Sequence, residues 1–386
     1  MDIVFTILII AFGLMFINRF KTKLTNNELL NLKKLWFYHL LFGIYYCFFI
    51  VGDAIGYWKN SKTLTWEEFT HIIIAEKGTA FMYAVNYVPA SVLNLSYFAN
   101  TMLFTLIGFI GLTYFYVLTV QLIPYNSKFK KINLFPLLFF LPNLHFWSVG
   151  VGKDTILFFC IGAICYGFYY RKYFLLVISL LLVFGVRPHM LLFIVLAYGS
   201  VLLLNSRISL FSKLFIGIVI VGVIISVMPS VMKSGKIDEI TMNVEAFSNF
   251  TERKAKLLSR SYTDSRVDIS SYSLPLKVFT FLFRPLFIDI NGFPSILASF
   301  ENLLLLLLTF KVMFKRPLKA YKAAPLIIKC LIILLLIGTF IFSQALGNLG
   351  IMLRMRNMFL PGMFMFILWV FSYEKNIKYQ HKLNNK

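Results

Sequence analysis

Nine side chains have the types and placement to do chemistry: Asp53, Lys153, Asp154, Arg187, His189, Arg284, Glu301, Arg354 and Arg356. Each stands in or beside an apolar stretch, where an ionisable group is costly and is usually paired or functional. The arginines present a planar, permanently charged fork of donors that suits phosphate oxygens. Arg187 precedes Pro188, a residue that fits the first turn of a helix, which puts its guanidinium just ahead of a helix N-terminus. Helices starting near 154, 188, 293 and 357 would all aim their positive ends at one side, where an anion the size of pyrophosphate is the natural occupant. Asp53, in GDAIGYW, and His189, in RPHM, are the candidate proton acceptors, a carboxylate and an imidazole that titrates near neutrality. Glu301, within SFENLLLLLL, is expected to take one of the arginines as partner.

Plainer readings stand beside these. A lone charge at the end of a span can snorkel to the interface, and Asp154 can simply cap its helix. Asp53 and His189 can be ordinary interfacial groups. His145 and Trp147, in the turn PNLHFWSVGVGKD over 142–154, fit an aromatic belt.

The elements that must position these residues are membrane helices. Of 386 residues 59% are hydrophobic and only 14% charged, with 43 Phe and 20 Tyr. Uncharged windows cover 100–127, 132–152, 188–206, 214–232, 330–353 and 357–373, each of about 17 residues or more, the length that crosses a bilayer core. Neither alternation nor regular turn spacing supports a β-barrel. The expected fold is all-α, a polytopic transmembrane bundle of about eleven spans. The stretches 81–98 and 274–290 read as re-entrant or interfacial pieces.

Charge sets the topology. Basic clusters at 19–34, 128–131, 171–172, 207–213, 311–322 and the C-terminal tail belong inside by the positive-inside rule. The N-terminus then lies outside, with 1–17 a retained span, and Asp53, Lys153, His189, Arg284 and Arg354 all face outward. External loops should be poor in arginine, yet these span ends carry Arg187, Arg284, Arg354 and Arg356, which favours a site over simple anchoring. The chain 1–386 reads as one integral membrane domain, and 231–275 as an external hydrophilic loop or cap.

The net charge of +22 falls mostly in those short inner loops, so no nucleic-acid partner is expected. Cys47, Cys160, Cys165 and Cys330 lie in apolar runs without metal-ligand spacing, and no metal or cofactor is expected. The absence of Walker, HExxH, GxSxG and Rossmann patterns argues against an ATP-driven pump and against familiar soluble hydrolases.

PNLHFWSVGVGKD, then RPHM, FRP before ENLLLL, and GNLGIMLRMRNMFLP together resemble the oligosaccharide-repeat polymerases of bacterial surface polysaccharide. These are the Wzy-type and EpsG-like proteins, within the GT-C class of lipid-linked-sugar glycosyltransferases. GDAIGY is similar to the acidic position that GT-C enzymes place after an early span. The resemblance covers roughly 52–361. It implies a sugar on undecaprenyl pyrophosphate as substrate and reaction at the outer face of the cytoplasmic (inner) membrane. It also implies membrane lipid and polysaccharide-assembly proteins as partners. A single-addition transferase and a flippase for lipid-linked oligosaccharide are the alternatives. Against the flippase, no paired inverted segments are evident.

Overall fold

The computed structural model describes residues 2–50, 52–129, 132–235, 251–252, 255 and 265–384. Most of the hydrophilic segment expected over 231–275 lies outside the described residues. In chain order the helices are α1 (Asp2–Asn18), α2 (Asn26–Phe49), α3 (Asp53–Lys62), α4 (Trp66–Ala75), α5 (Thr79–Val85) and α6 (Tyr97–Leu122). A hairpin of two-residue antiparallel strands follows, β1 (Lys128–Phe129) and β2 (Ile132–Asn133). Then come α7 (Leu134–Leu137), α8 (Pro142–Phe146), α9 (Lys153–Tyr169), α10 (Tyr173–Val186), α11 (Pro188–Leu203) and α12 (Leu210–Gly235). The rest are α13 (Leu274–Phe283), α14 (Phe293–Met313), α15 (Pro317–Ala323), α16 (Leu326–Ala345), α17 (Leu349–Arg356) and α18 (Leu360–Asn384). Among the described residues the fold is helical apart from that hairpin and an isolated bridge between Arg266 and Asn348.

Four helices, α6, α12, α14 and α16, are long and apolar enough to cross a membrane among the described residues. The number is six if the bent pairs α2–α3 and α17–α18 each count as one. Their length and apolarity point to a membrane protein. α1, α10, α11 and α13 are apolar but shorter, at 10–17 residues. The stretch 132–146, expected to cross as one span, is not one helix: it breaks into β2, α7, a 3-10 turn at Leu138–Phe140, and α8. Pro136 and Pro142 lack the N–H that would continue a ladder, and Phe135 has extended angles (φ −99°, ψ 126°). The stretch 81–98 is broken as expected, into α5 and a π-helical turn at Val88–Val92 that includes Pro89.

The packing gathers into two units. Unit 1 comprises 1–122, 144–192 and 224–234; unit 2 comprises 123–143, 193–223 and 235–386. In unit 1, α6 is the central helix, with 78% of its most apolar window buried, and α1, α2 and α9 lie against it. Between apolar helices in lipid, close van der Waals approach replaces the hydrophobic drive. Small residues allow it here: Gly162 of α9 faces the Gly111 carbonyl of α6, and a side chain on either glycine would strike the other helix. Gly108 likewise makes room for the Ser148 carbonyl, which seats the 144–152 turn on α6. In unit 2, α16 packs on α18 and α13, with Gly338 admitting the Phe359 ring; α14 lies against α13 and α18.

Candidate functional site

Unit 1 brings three of the sequence-predicted residues together where three helix ends meet. α9 starts at Lys153, which places Asp154 in its first turn, where a carboxylate is favoured by the free N–H groups. Arg187 ends α10 with extended angles, its N–H closing on the Val183 carbonyl at 2.8 Å, and Pro188 opens α11 as expected. These two ends converge: the Arg187 guanidinium donates to Asp154 Oδ1 at 2.9 Å, with side chains only 10% and 8% exposed. Lys153 Nζ donates to Thr79 Oγ1 at 2.9 Å, at the start of α5. The preceding Gly78 has φ 73°, a left-handed conformation that glycine adopts without strain, and its N–H reaches the Gly185 carbonyl at 2.8 Å.

The candidate proton acceptors lie in the same unit. His189 is half-buried in the first turn of α11, two residues from Arg187. Asp53 is exposed and opens α3. α3 packs on α5, with the Tyr57 and Tyr83 rings 6.1 Å apart. Asp53 and Lys153 therefore stand on elements tied to the same short helix.

Unit 2 holds the other four. Arg284 grips Asp289 with both arms, Nε to Oδ2 at 3.0 Å and NH2 to Oδ1 at 2.5 Å, and reaches the Tyr272 hydroxyl at 3.4 Å. Asp289 also accepts the Leu286 N–H at 2.9 Å. Burial pushes the Asp289 carboxyl up, but the bonds from Arg284 and Leu286 outweigh it and hold the group below the usual carboxylate range. The same ion pair pushes the Arg284 guanidinium up against its own burial.

Glu301 Oε2 accepts the Asn143 backbone N–H at 2.9 Å, and among the described residues no arginine comes within ion-pair distance of it, although Arg356 acts on it electrostatically. Arg356, the nearest in electrostatic effect, is fully buried. NH2 of Arg356 donates to Asn302 Oδ1 at 2.5 Å, and NH1 to the carbonyls of Phe281 (3.2 Å) and Leu282. Those carbonyls belong to the last turn of α13, whose acceptors have no helical partner, so Arg356 caps that helix end. Arg354 is half-buried on α17.

The nine residues thus divide, five in unit 1 and four in unit 2. Two partnerships escaped the sequence reading. His39 of α2 and His145 of α8 are both fully buried and meet at 2.8 Å between their Nδ1 atoms. One ring must carry its proton there and the other accept it. His145 is therefore interior rather than part of an aromatic belt. The signal was available, since His39 interrupts an apolar run as Glu301 does. Asn86 and Asn100 pair at 2.8 Å in the same unit, from either side of the break around Pro89. Among the described residues no three His, Cys, Asp or Glu side chains gather as a metal site would require.

Comparison with protein-family models, with curated proteins and with solved structures finds no match in any of the three.

Proposed function

We propose that the protein is a membrane glycosyltransferase acting on undecaprenyl-pyrophosphate-linked oligosaccharide, polymerising the repeat units of a surface polysaccharide. On this reading it crosses the inner membrane about eleven times in a GT-C-like arrangement. The observation that carries it is the buried Arg187–Asp154 pair beside Lys153 at the start of α9. Charges this enclosed in so apolar a chain are expensive, and a structural anchor at a helix end needs none of them. Asp154 accepts from the Arg187 guanidinium and orients it; Lys153 adds a second cation next to Asp154 in the chain.

The chemistry follows from the charges. A hydroxyl of the acceptor sugar attacks the anomeric carbon, forming one C–O bond as the bond to the lipid pyrophosphate breaks. The hydroxyl proton passes to Asp53, with His189 the second choice. Negative charge grows on the departing pyrophosphate, so fixed cations there stabilise the transition state more than the ground state. Arg284, Arg354 and Glu301 serve substrate binding on this reading. Arg356 contributes on this reading by holding the end of α13.

The test is reconstitution. Purified protein in lipid vesicles with lipid-linked oligosaccharide should yield a ladder of longer lipid-linked chains. One added unit and no more would identify a single-addition transferase. Movement of the substrate between leaflets without any bond formed would identify a flippase and overturn the proposal.

A further inference from the structure

One end of unit 2 is made of cations. Glu374 is the only acidic residue between 311 and 386, and 123–143 has none. Arg316 has φ 50°, a left-handed turn that redirects the chain from α14 into α15. Its guanidinium grips Glu374 of α18 with Nε to Oε1 at 3.0 Å and NH2 to Oε2 at 3.2 Å. The indole N–H of Trp369 donates to the Ala320 carbonyl at 2.8 Å, fastening α15 to α18 from its buried side. Lys375 Nζ donates to the Asn126 carbonyl at 2.5 Å, and the Tyr125 N–H to Ser372 Oγ at 3.1 Å, which ties in the segment before β1. Glu374 is thereby matched by Arg316, and among the described residues no ion pair joins a carboxylate to Lys315, Lys319, Lys322, Lys375 or Lys378.

Apolar side chains border this shelf. Phe310, Met313, Phe314 and Leu318 are 57%, 67%, 70% and 76% exposed. They mark the place where α14, a helix apolar enough to cross a membrane, comes to its end. We propose that this end of unit 2 is a binding site for the headgroup of an acidic phospholipid. Lys315, Lys319 and Lys322 face the phosphate, while Phe314 and Leu318 enter the acyl layer. A soluble phosphate or a nucleic acid would need the cations but not the apolar border. Lipid chemistry needs both at one depth, the depth at which a span ends. The bidentate grip on Arg316 and the indole contact hold α15 in place, so little order has to be gained on binding.

The site is independent of the glycosyl-transfer reading and is tested by binding alone. Full-length protein in a zwitterionic detergent is titrated with phosphatidylglycerol or with phosphatidylcholine of the same chains, and thermal unfolding is followed. Phosphatidylglycerol should raise the Tm, with an effect that shrinks as salt is added; phosphatidylcholine should raise it less. Combining Lys315→Gln, Lys319→Gln and Lys322→Gln should weaken the apparent affinity for phosphatidylglycerol by roughly tenfold or more. Lys319→Gln alone, at an exposed position, serves if the triple variant does not fold and should give a partial loss. Equal shifts from both lipids would overturn the proposal, as would an unchanged affinity in the variants. A shift from glycerol phosphate as large as that from the lipid would also overturn it, by making the site one for free phosphate.

Discussion

Replacing Asp154 separates what the buried ion pair does for the fold from what it does for chemistry. Asp154→Asn keeps the shape of the side chain but removes the charge facing Arg187, at a contact of 2.9 Å with both side chains 10% exposed or less. Breaking a buried pair by removing one partner costs about 3–5 kcal/mol, and the retained amide oxygen places this change near the lower end. Asp154→Leu should cost more, because it also removes the oxygen that accepts from Arg187 NH2. Combining Asp154→Leu with Arg187→Met removes both charges, and most of the stability should return. Thermal unfolding of the purified protein reads the first effect, and polymer made in reconstituted vesicles reads the second. The single variants should melt several degrees lower; the double variant should melt close to the parent and make no polymer. Unchanged melting in both single variants would refute the pairing. A double variant that still polymerises would show that the pair is structural and that the site lies elsewhere.

Asp53→Asn should abolish turnover while leaving retention of the lipid-linked donor nearly intact, and His189→Gln should do less; the reverse order in a polymerisation assay would exchange their roles. Arg187→Lys should lose most activity with expression unchanged, because an ammonium cannot reproduce the fork that a phosphate and Asp154 share; near-normal polymer would make Arg187 an anchor. Asp289 has a depressed carboxyl, so its stabilising contribution is present above the ordinary carboxylate pKa of ~3.9 and is lost as pH falls through the lowered folded value. Asp289→Asn should therefore cost roughly 1–2 kcal/mol at neutral pH and flatten the loss on acidification, read as Tm against pH. Gly162→Leu should force α9 away from α6, lowering Tm by the equivalent of about 1–3 kcal/mol or more, because the clash is with the Gly111 backbone.

Much of the helical frame was legible. Apolar runs marked α6, α9, α10, α11, α14 and α16 to within a few residues, and Pro188 opened its helix as expected. Hydropathy failed where it counts residues without asking whether their backbone can continue. The stretch 132–146 is apolar enough for a span, but Pro136 and Pro142 interrupt its ladder. The sequence also located charged side chains without revealing what satisfies them. Asp154 lies 33 positions from Arg187, and His39 lies 106 from His145, separations at which no local pattern betrays a contact. Arg356 carried the same apparent signal as Arg354, two positions away. Only the packing of α17 on α13 separates them, turning one inward onto carbonyls and leaving the other half-buried.

The most direct measurement of the central claim is the set of lipid-linked glycans that accumulate when the gene is deleted from its host. A repeat-unit polymerase predicts single complete repeat units on the pyrophosphate lipid, with long surface polymer lost and restored by the parent gene but not by the Asp53→Asn variant. Truncated units would mean a transferase that adds one sugar, and lipid-linked glycans and surface polymer indistinguishable from the parent strain would contradict the account.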